Sequence, residues 1–279
     1  MFKSGEQRWR RRKMENNYIA CGNNVDLIKG LPDNSIDLVV TSPPYDDLRD
    51  YKGYSFDFEG LAKELVRVLK DGGVIVWIVA DATIGGSETG TSFKQALHFI
   101  DLGLNLNDTM IWDKGAFTAV GALVSRYAQV FEYMFILSKG KPKAFNPIKD
   151  RENIKAGKKI SGNILQKDGT RRPKSSQGKI MGEYGIRFNV WRQDSIKSPA
   201  VWDHPAMMPV KLARDHIISW SNEGDVVLDP FMGSGTTAIA CIESNRKYIG
   251  FEISAEYCEM AKKRINQRKQ ELTLFLMGN

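Results

Sequence analysis

The sequence predicts an α/β fold built on a doubly wound, mainly parallel sheet and interrupted by a basic insert. Three observations carry that expectation. Short apolar runs rich in Val and Ile alternate with helical spacing at both ends of the chain. A glycine-rich turn follows one such run and opens a helix. Between residues 139 and 200 the alternation stops and Lys, Gly, Asn and Ser take over.

In chain order, Asn34-Ser-Ile-Asp-Leu-Val-Val reads as a strand that ends at a Pro-Pro turn. Residues 58–69 follow with Leu61, Leu65, Val68 and Leu69 on one helical face, and Asp71-Gly72-Gly73 predicts the stop. Val74–Ala80 reads as a buried parallel strand. A helix is expected over Ser92–Leu102, and strands near Asn107–Trp112 and Val130–Leu137. After the insert, Pro209 suits the first turn of a helix reaching about Trp220. Then come a strand at Asp225–Leu228, the glycine turn, a helix to Ser244, a strand at Tyr248–Phe251 and a closing helix from Ser254 to about Gln270. The domain reading is a basic tail (1–17), two halves of one α/β domain (18–138 and 201–279) and the insert (139–200). No internal repeat of 20 to 50 residues shows.

The chain has 279 residues and a net charge of +7, unevenly spread. Lys139–Lys197 holds 16 Lys and Arg against 5 Asp and Glu, a net +11, and residues 1–13 hold +5. The remainder is therefore at −9. Such segregation fits a polyanion-binding surface or a solvated loop. Tyr184, Phe188 and Trp191 are interleaved there and Trp202 follows, to stack on bases or to pack a small core. The basic first 13 residues read as a DNA-contacting arm or as an extension ahead of a start at Met14. They lack an apolar stretch behind them, and the longest apolar run, Val74–Ala80, is far short of the ~20 residues that cross a bilayer. Three cysteines and three histidines without metal-ligand spacing predict neither a zinc site nor a disulfide framework, and place the chain in the cytoplasm.

The strand Val226-Val-Leu runs into Asp229-Pro-Phe-Met-Gly-Ser-Gly-Thr-Thr237, with a helix from about Thr236. Gly233 and Gly235 allow close backbone approach, the helix N-terminus offers amides, and Glu252 at the next strand tip suits ribose hydroxyls. This is a Rossmann-like nucleoside-cofactor site. Gly233-x-Gly235-x-x-Ala238 also fits a dinucleotide fingerprint. However, Asp229 suits an ammonium group better than a pyrophosphate, which favours S-adenosyl-L-methionine.

At a second strand end lies Thr41-Ser-Pro-Pro-Tyr45. The prolines fix φ and leave carbonyls aimed and open, Ser42 adds a hydroxyl, and Tyr45 adds a flat ring. That set can hold a planar group bearing an exocyclic amine, or can simply end a strand with a packed tyrosine.

Together the two motifs resemble the S-adenosylmethionine-dependent amino-methyltransferases of DNA, which modify cytosine N4 or adenine N6. Ser42-Pro43-Pro44-Tyr45 matches their catalytic motif. Asp229, Pro230, Phe231, Gly233, Ser234, Gly235, Thr236 and Thr237 match their cofactor motif. Catalytic motif before cofactor motif, with an insert between, is similar to the permuted β group. There the insert is the target-recognition region, which makes Lys158, Lys159, Arg171, Arg172 and Lys174 the candidates for DNA contact. The resemblance also implies cofactor contacts from Thr41, from Asn23 (in place of the family's acid) and from His204. It implies double-stranded DNA as partner and leaves a cognate restriction endonuclease open.

The implied mechanism has Ser42 Oγ and the Pro43 carbonyl accepting the two amine N–H bonds while Tyr45 stacks on a flipped base. Serine at the first motif position leans toward cytosine N4, with adenine N6 as the alternative. An inactive DNA-binding protein with a methylase core, a nicotinamide dehydrogenase and an RNA substrate are the other readings.

Overall fold

The computed structural model describes residues 16–44, 56–115, 126–194 and 208–277. The chain starts with β1 (Tyr18–Cys21), α1 (Asn24–Ile28), β2 (Ile36–Thr41), α2 (Phe58–Val68) and β3 (Leu69–Val79). A small hairpin, β4 (Thr83–Ile84) and β5 (Ser87–Glu88), leads to α3 (Thr91–Asp101), β6 (Asn105–Asp113) and β7 (Phe131–Ser138). The basic segment contains β8 (Lys149–Glu152), β9 (Asn163–Leu165), β10 (Arg171–Pro173), β11 (Tyr184–Ile186) and β12 (Val190–Arg192). The chain closes with α4 (Val210–Trp220), β13 (Val226–Asp229), α5 (Thr236–Glu243), β14 (Lys247–Glu252) and α6 (Ala255–Met277).

Among the described residues eight strands form one sheet in the order β1-β14-β13-β2-β3-β7-β6-β12. Of these described strands β7 alone is reversed, pairing antiparallel with both β3 and β6. The other neighbours are parallel, as the apolar, doubly buried strands demand: β2 is buried throughout, and so are Val74–Val79. The carboxyl ends of β1, β14, β13, β2 and β3 therefore lie along one edge, where ligands of open α/β sheets bind.

The Leu61–Leu65–Val68 stripe packs α2 on the sheet, and Asp57 caps its first turn through Gly60 N–H at 2.9 Å. The stop at Gly72-Gly73 is not observed. Leu69 is already extended and pairs with Ile36, so β3 starts five residues before Val74, with a register shift between Ile36 and Leu38. Gly72, at φ +77°, keeps a close approach to Lys143 instead. At the other end, α6 runs past Gln270 to Met277, and Leu274 and Phe275 stay exposed.

Residues 147–188 form a second compact unit, narrower than the 139–200 segment. Lys139 and Lys143 bond to the backbone of Gly72 and Gly73, and β12 joins the edge of the main sheet beside β6. Trp191 is 7 % exposed and stacks on His216 at 4.4 Å, so it is a core residue and not a base-stacking one. Tyr184 and Phe188 are exposed, and Trp202 lies outside the described residues. Among the described residues no helix is long and apolar enough to cross a membrane, and no group of His, Cys, Asp or Glu is arranged to hold a metal.

Candidate active site at the carboxyl edge of the sheet

Adjacent strands β2 and β13 end side by side, and the two sequence motifs leave from those ends. Thr41, fully buried, donates its hydroxyl to Asp229 Oδ1 at 2.7 Å. Thr237, in the first turn of α5, donates to Oδ2 at 2.6 Å, and the Phe231 N–H donates to Oδ1 at 3.0 Å. Asp229 is only 4 % exposed. Burial raises its pKa to about 6, against the pull of these three donors. The carboxylate thus ties the Ser42-Pro43-Pro44 turn to the glycine loop. An inward anchoring task belongs to Asp229 in addition to whatever charge it presents to a ligand.

Glu252 ends β14 and holds the loop from the other side. Its Oε2 accepts the Gly233 N–H and its Oε1 the Ser254 N–H, both at 2.8 Å. Burial raises its pKa, while those amides draw it down. A carboxylate has about four acceptor sites, so these amides leave capacity for a hydroxyl donor. Beside it, Gly22 N–H bonds to the Glu252 carbonyl, which draws the β1–α1 turn to the same place. Asn23 Oδ1 accepts from Val25 and Asp26 N–H as the N-cap of α1. Its Nδ2 takes no part in that cap.

The glycines have separable reasons. Gly235 sits at φ +87°, and a Cβ there would meet Ala261 Cβ of α6 at 3.1 Å. Its constraint is the left-handed turn and the packing of α6. Gly233 is also left-handed, at φ +50°, and directs its amide to Glu252. Among the described residues no side chain caps α5, which leaves its first-turn amides directed to the loop. Ser234 and Thr236 are buried. Ser234 accepts from Arg264 Nη1 through its Oγ at 2.5 Å and its carbonyl at 2.6 Å. Pro230 accepts from Asn24 Nδ2 at 3.3 Å.

Three contributors were not anticipated from the sequence. Arg264 and Asn24 act on loop carbonyls from elements far away in sequence. Asp81, just past the end of β3, is 4 % exposed and accepts from Ser92 N–H at 2.8 Å and Ser92 Oγ at 2.6 Å. For Asp81 alone a signal was available: an acid two residues after a strand, with a Ser 11 positions on at a helix start. Ser42, Pro43 and Pro44 lie at the β2 end, and Pro43 is buried. Tyr45 and His204 lie outside the described residues. Lys158, Lys159, Arg171, Arg172 and Lys174 all lie exposed in the 147–188 unit.

The chain matches the N6/N4 DNA methylase family over residues 36–263. It belongs to that family. Its sequence is 54 % identical over 244 residues to the orphan methyltransferase M.BamHII of Bacillus amyloliquefaciens, covering 85 % of this chain and 91 % of that one. In structure it is similar to TTHA0409 of Thermus thermophilus in its complex with S-adenosyl-L-methionine. The TM-score is 0.60 at 24 % identity, with 90 % and 95 % of the two chains covered. The cytosine-N4-specific PvuII DNA methyltransferase has a TM-score of 0.65 at 21 % identity, with 91 % of each chain covered. The mainly parallel α/β sheet is therefore that of a DNA methyltransferase of the N4/N6 amino-methyltransferase family.

Proposed function

We propose that this DNA methyltransferase moves a methyl group from S-adenosyl-L-methionine to the exocyclic amine of a flipped base in double-stranded DNA, and that the base is cytosine, modified at N4. The observation that carries the reading is the Thr41–Asp229 hydrogen bond, which keeps the Ser42 turn and the Gly233–Gly235 loop on one edge of the sheet.

The donor set fits the cofactor. Glu252 retains acceptor capacity for ribose hydroxyls, Asn23 Nδ2 can face the adenine edge, and the loop of Phe231, Gly233 and Ser234 is backed by amides of Thr236 and Thr237. Asp229 supplies negative charge for the methionine ammonium. When bound, the cofactor supplies a methyl group on a positive sulfonium, whose departure leaves a neutral thioether.

The chain's own residues position and neutralise. Ser42 Oγ and the Pro43 carbonyl accept the two amine N–H bonds, which turns the nitrogen lone pair out of conjugation. As the new N–C bond forms, the same acceptors stabilise the positive charge on nitrogen, and one of its protons then passes to solvent. Tyr45 stacks on the extruded ring. Serine at position 42 supports cytosine, because in this family an aspartate there goes with adenine.

Incubation with unmethylated DNA and cofactor, followed by nuclease digestion and mass spectrometry, tests the proposal. N4-methylcytosine is the expected product. N6-methyladenine would replace the base assignment, and no methylated nucleoside would overturn the activity.

A further inference from the structure

Residues 147–188 form a two-stranded antiparallel ribbon that carries a repeat the sequence conceals. Adding 21 to a position on the first strand gives its mate on the second, and the backbone hydrogen bonds obey that rule. Gly157 N–H donates to Met181 O at 2.9 Å, and its mate Gly178 N–H donates to Ile160 O at 2.8 Å. Ile160 N–H donates to Lys179 O at 2.8 Å, and Met181 N–H to Lys158 O at 2.9 Å. Asn153 N–H reaches Glu183 O as Lys174 N–H reaches Gly162 O. The turns repeat as well: Lys158 N–H to Lys155 O answers Lys179 N–H to Ser176 O. Both turn glycines are left-handed, at φ +76° for Gly157 and +83° for Gly178. Lys159 and Ile180 face one another across the axis of this local two-fold.

Between the mates only Arg151, Gly157 and Lys158 are matched by identical residues, Arg172, Gly178 and Lys179. The glycines serve the turns. The lysines that follow them are both exposed, and among the described residues neither has a carboxylate partner. Arg187, by contrast, is taken up by Asp150.

We propose that this ribbon binds duplex DNA axis on axis, with Lys158 and Lys179 as equivalent contacts to phosphates of opposite strands. The phosphate backbone of a duplex has a two-fold axis at every base pair and every step, whatever the sequence. A two-stranded ribbon fits the major groove. When its own two-fold coincides with one of the duplex, paired lysines meet paired phosphates at no extra geometric cost. A single strand has no such axis. The inference rests on the DNA methyltransferase reading and names how that substrate is held.

The full chain carrying Lys158→Gln, Lys179→Gln or both is titrated, by fluorescence anisotropy across a salt series, against a random duplex of about 20 base pairs and its single strand. Unchanged thermal midpoints establish that the variants fold. Each single change is expected to weaken duplex binding by about five- to tenfold and to lower the log–log salt slope by about 0.9. The two effects should agree within about twofold, and the double change should multiply them. Single-strand binding should move less than about twofold. Unequal single effects, or equal losses on duplex and single strand, would overturn the proposal. Methyl transfer by the unaltered chain is measured alongside: its absence overturns the functional reading, whereas transfer with unequal lysine effects overturns the two-fold docking alone.

Discussion

The Thr41 hydroxyl and the Asp229 carboxylate, 188 positions apart in sequence, share a buried 2.7 Å hydrogen bond between the ends of two neighbouring strands. One carboxylate oxygen receives Thr41 and the Phe231 amide, the other Thr237, so three segments meet on one side chain. The geometry explains why a threonine stands before the Ser-Pro-Pro turn: a side chain without a donor would leave a buried anion short of a partner.

Replacing Thr41 by Val is therefore expected to lower stability by about 1–3 kcal/mol, the cost of stripping a donor from a buried charged group. Replacing it by Ser should restore most of the loss. Urea unfolding of both variants measures the difference, and cofactor titration should show weaker binding for the valine variant only.

Asp229 gives the protein a distinctive pH response. Its folded pKa of about 6 lies above the ordinary 3.8, so the folded state holds a proton that the unfolded state has released. Between those values the unfolded chain binds fewer protons, and stability falls as pH rises from about 4 through about 6, by about 3 kcal/mol in all. An Asp229→Asn variant should lose that slope and be the more stable protein at pH 7, yet bind S-adenosyl-L-methionine poorly. Denaturation at several pH values, with calorimetry at pH 7, checks both halves. Cofactor affinity of the unaltered protein should rise between about pH 5 and 7 as the carboxyl ionises.

Gly235→Ala and Gly103→Ala form an informative pair. Both glycines are left-handed, at φ +87° and +93°, but among the described residues only the first has a neighbour, Ala261, within reach of a new methyl. The backbone strain, about 1–3 kcal/mol, is common to both. The additional displacement of α6 should appear only at 235, as a lower thermal midpoint and weakened cofactor binding.

Ser42→Ala is expected to slow methyl transfer at least about tenfold with cofactor affinity unchanged, since the hydroxyl acts on the amine that receives the methyl. Single-turnover rates and calorimetry separate the two. An unaltered rate would remove Ser42 from the proposed grip.

Much of this architecture was legible because parallel strands buried on both faces are written as apolar runs, and each run here stands between helical stripes. Val226–Leu228 and Ile36–Val40 were found that way. Boundaries were harder where pairing overrode local chemistry. Gly72-Gly73 looks like a helix stop, yet Leu69 is captured by Ile36 before the glycines are reached. The two-fold ribbon left almost no trace in residue identity. Its repeat is one of hydrogen-bond register, satisfied by any residues that tolerate the turns, so only the obligatory glycines and a few basic side chains coincide. Within the site, glycines and acids announced themselves by type. What each acid does locally was not readable: Asp229 and Glu252 spend acceptors on the protein's own hydroxyls and amides, and Arg264 steadies Ser234 from a distant helix.

The long separation between Thr41 and Asp229 has a consequence for biosynthesis. The Ser42 turn is made before its anchor, which follows Thr41 by 188 positions. Until that segment emerges from the ribosome the nascent polypeptide holds one half of its chemistry without the other. Closing a loop of 188 positions is the step expected to pace the joining of the two motifs during folding.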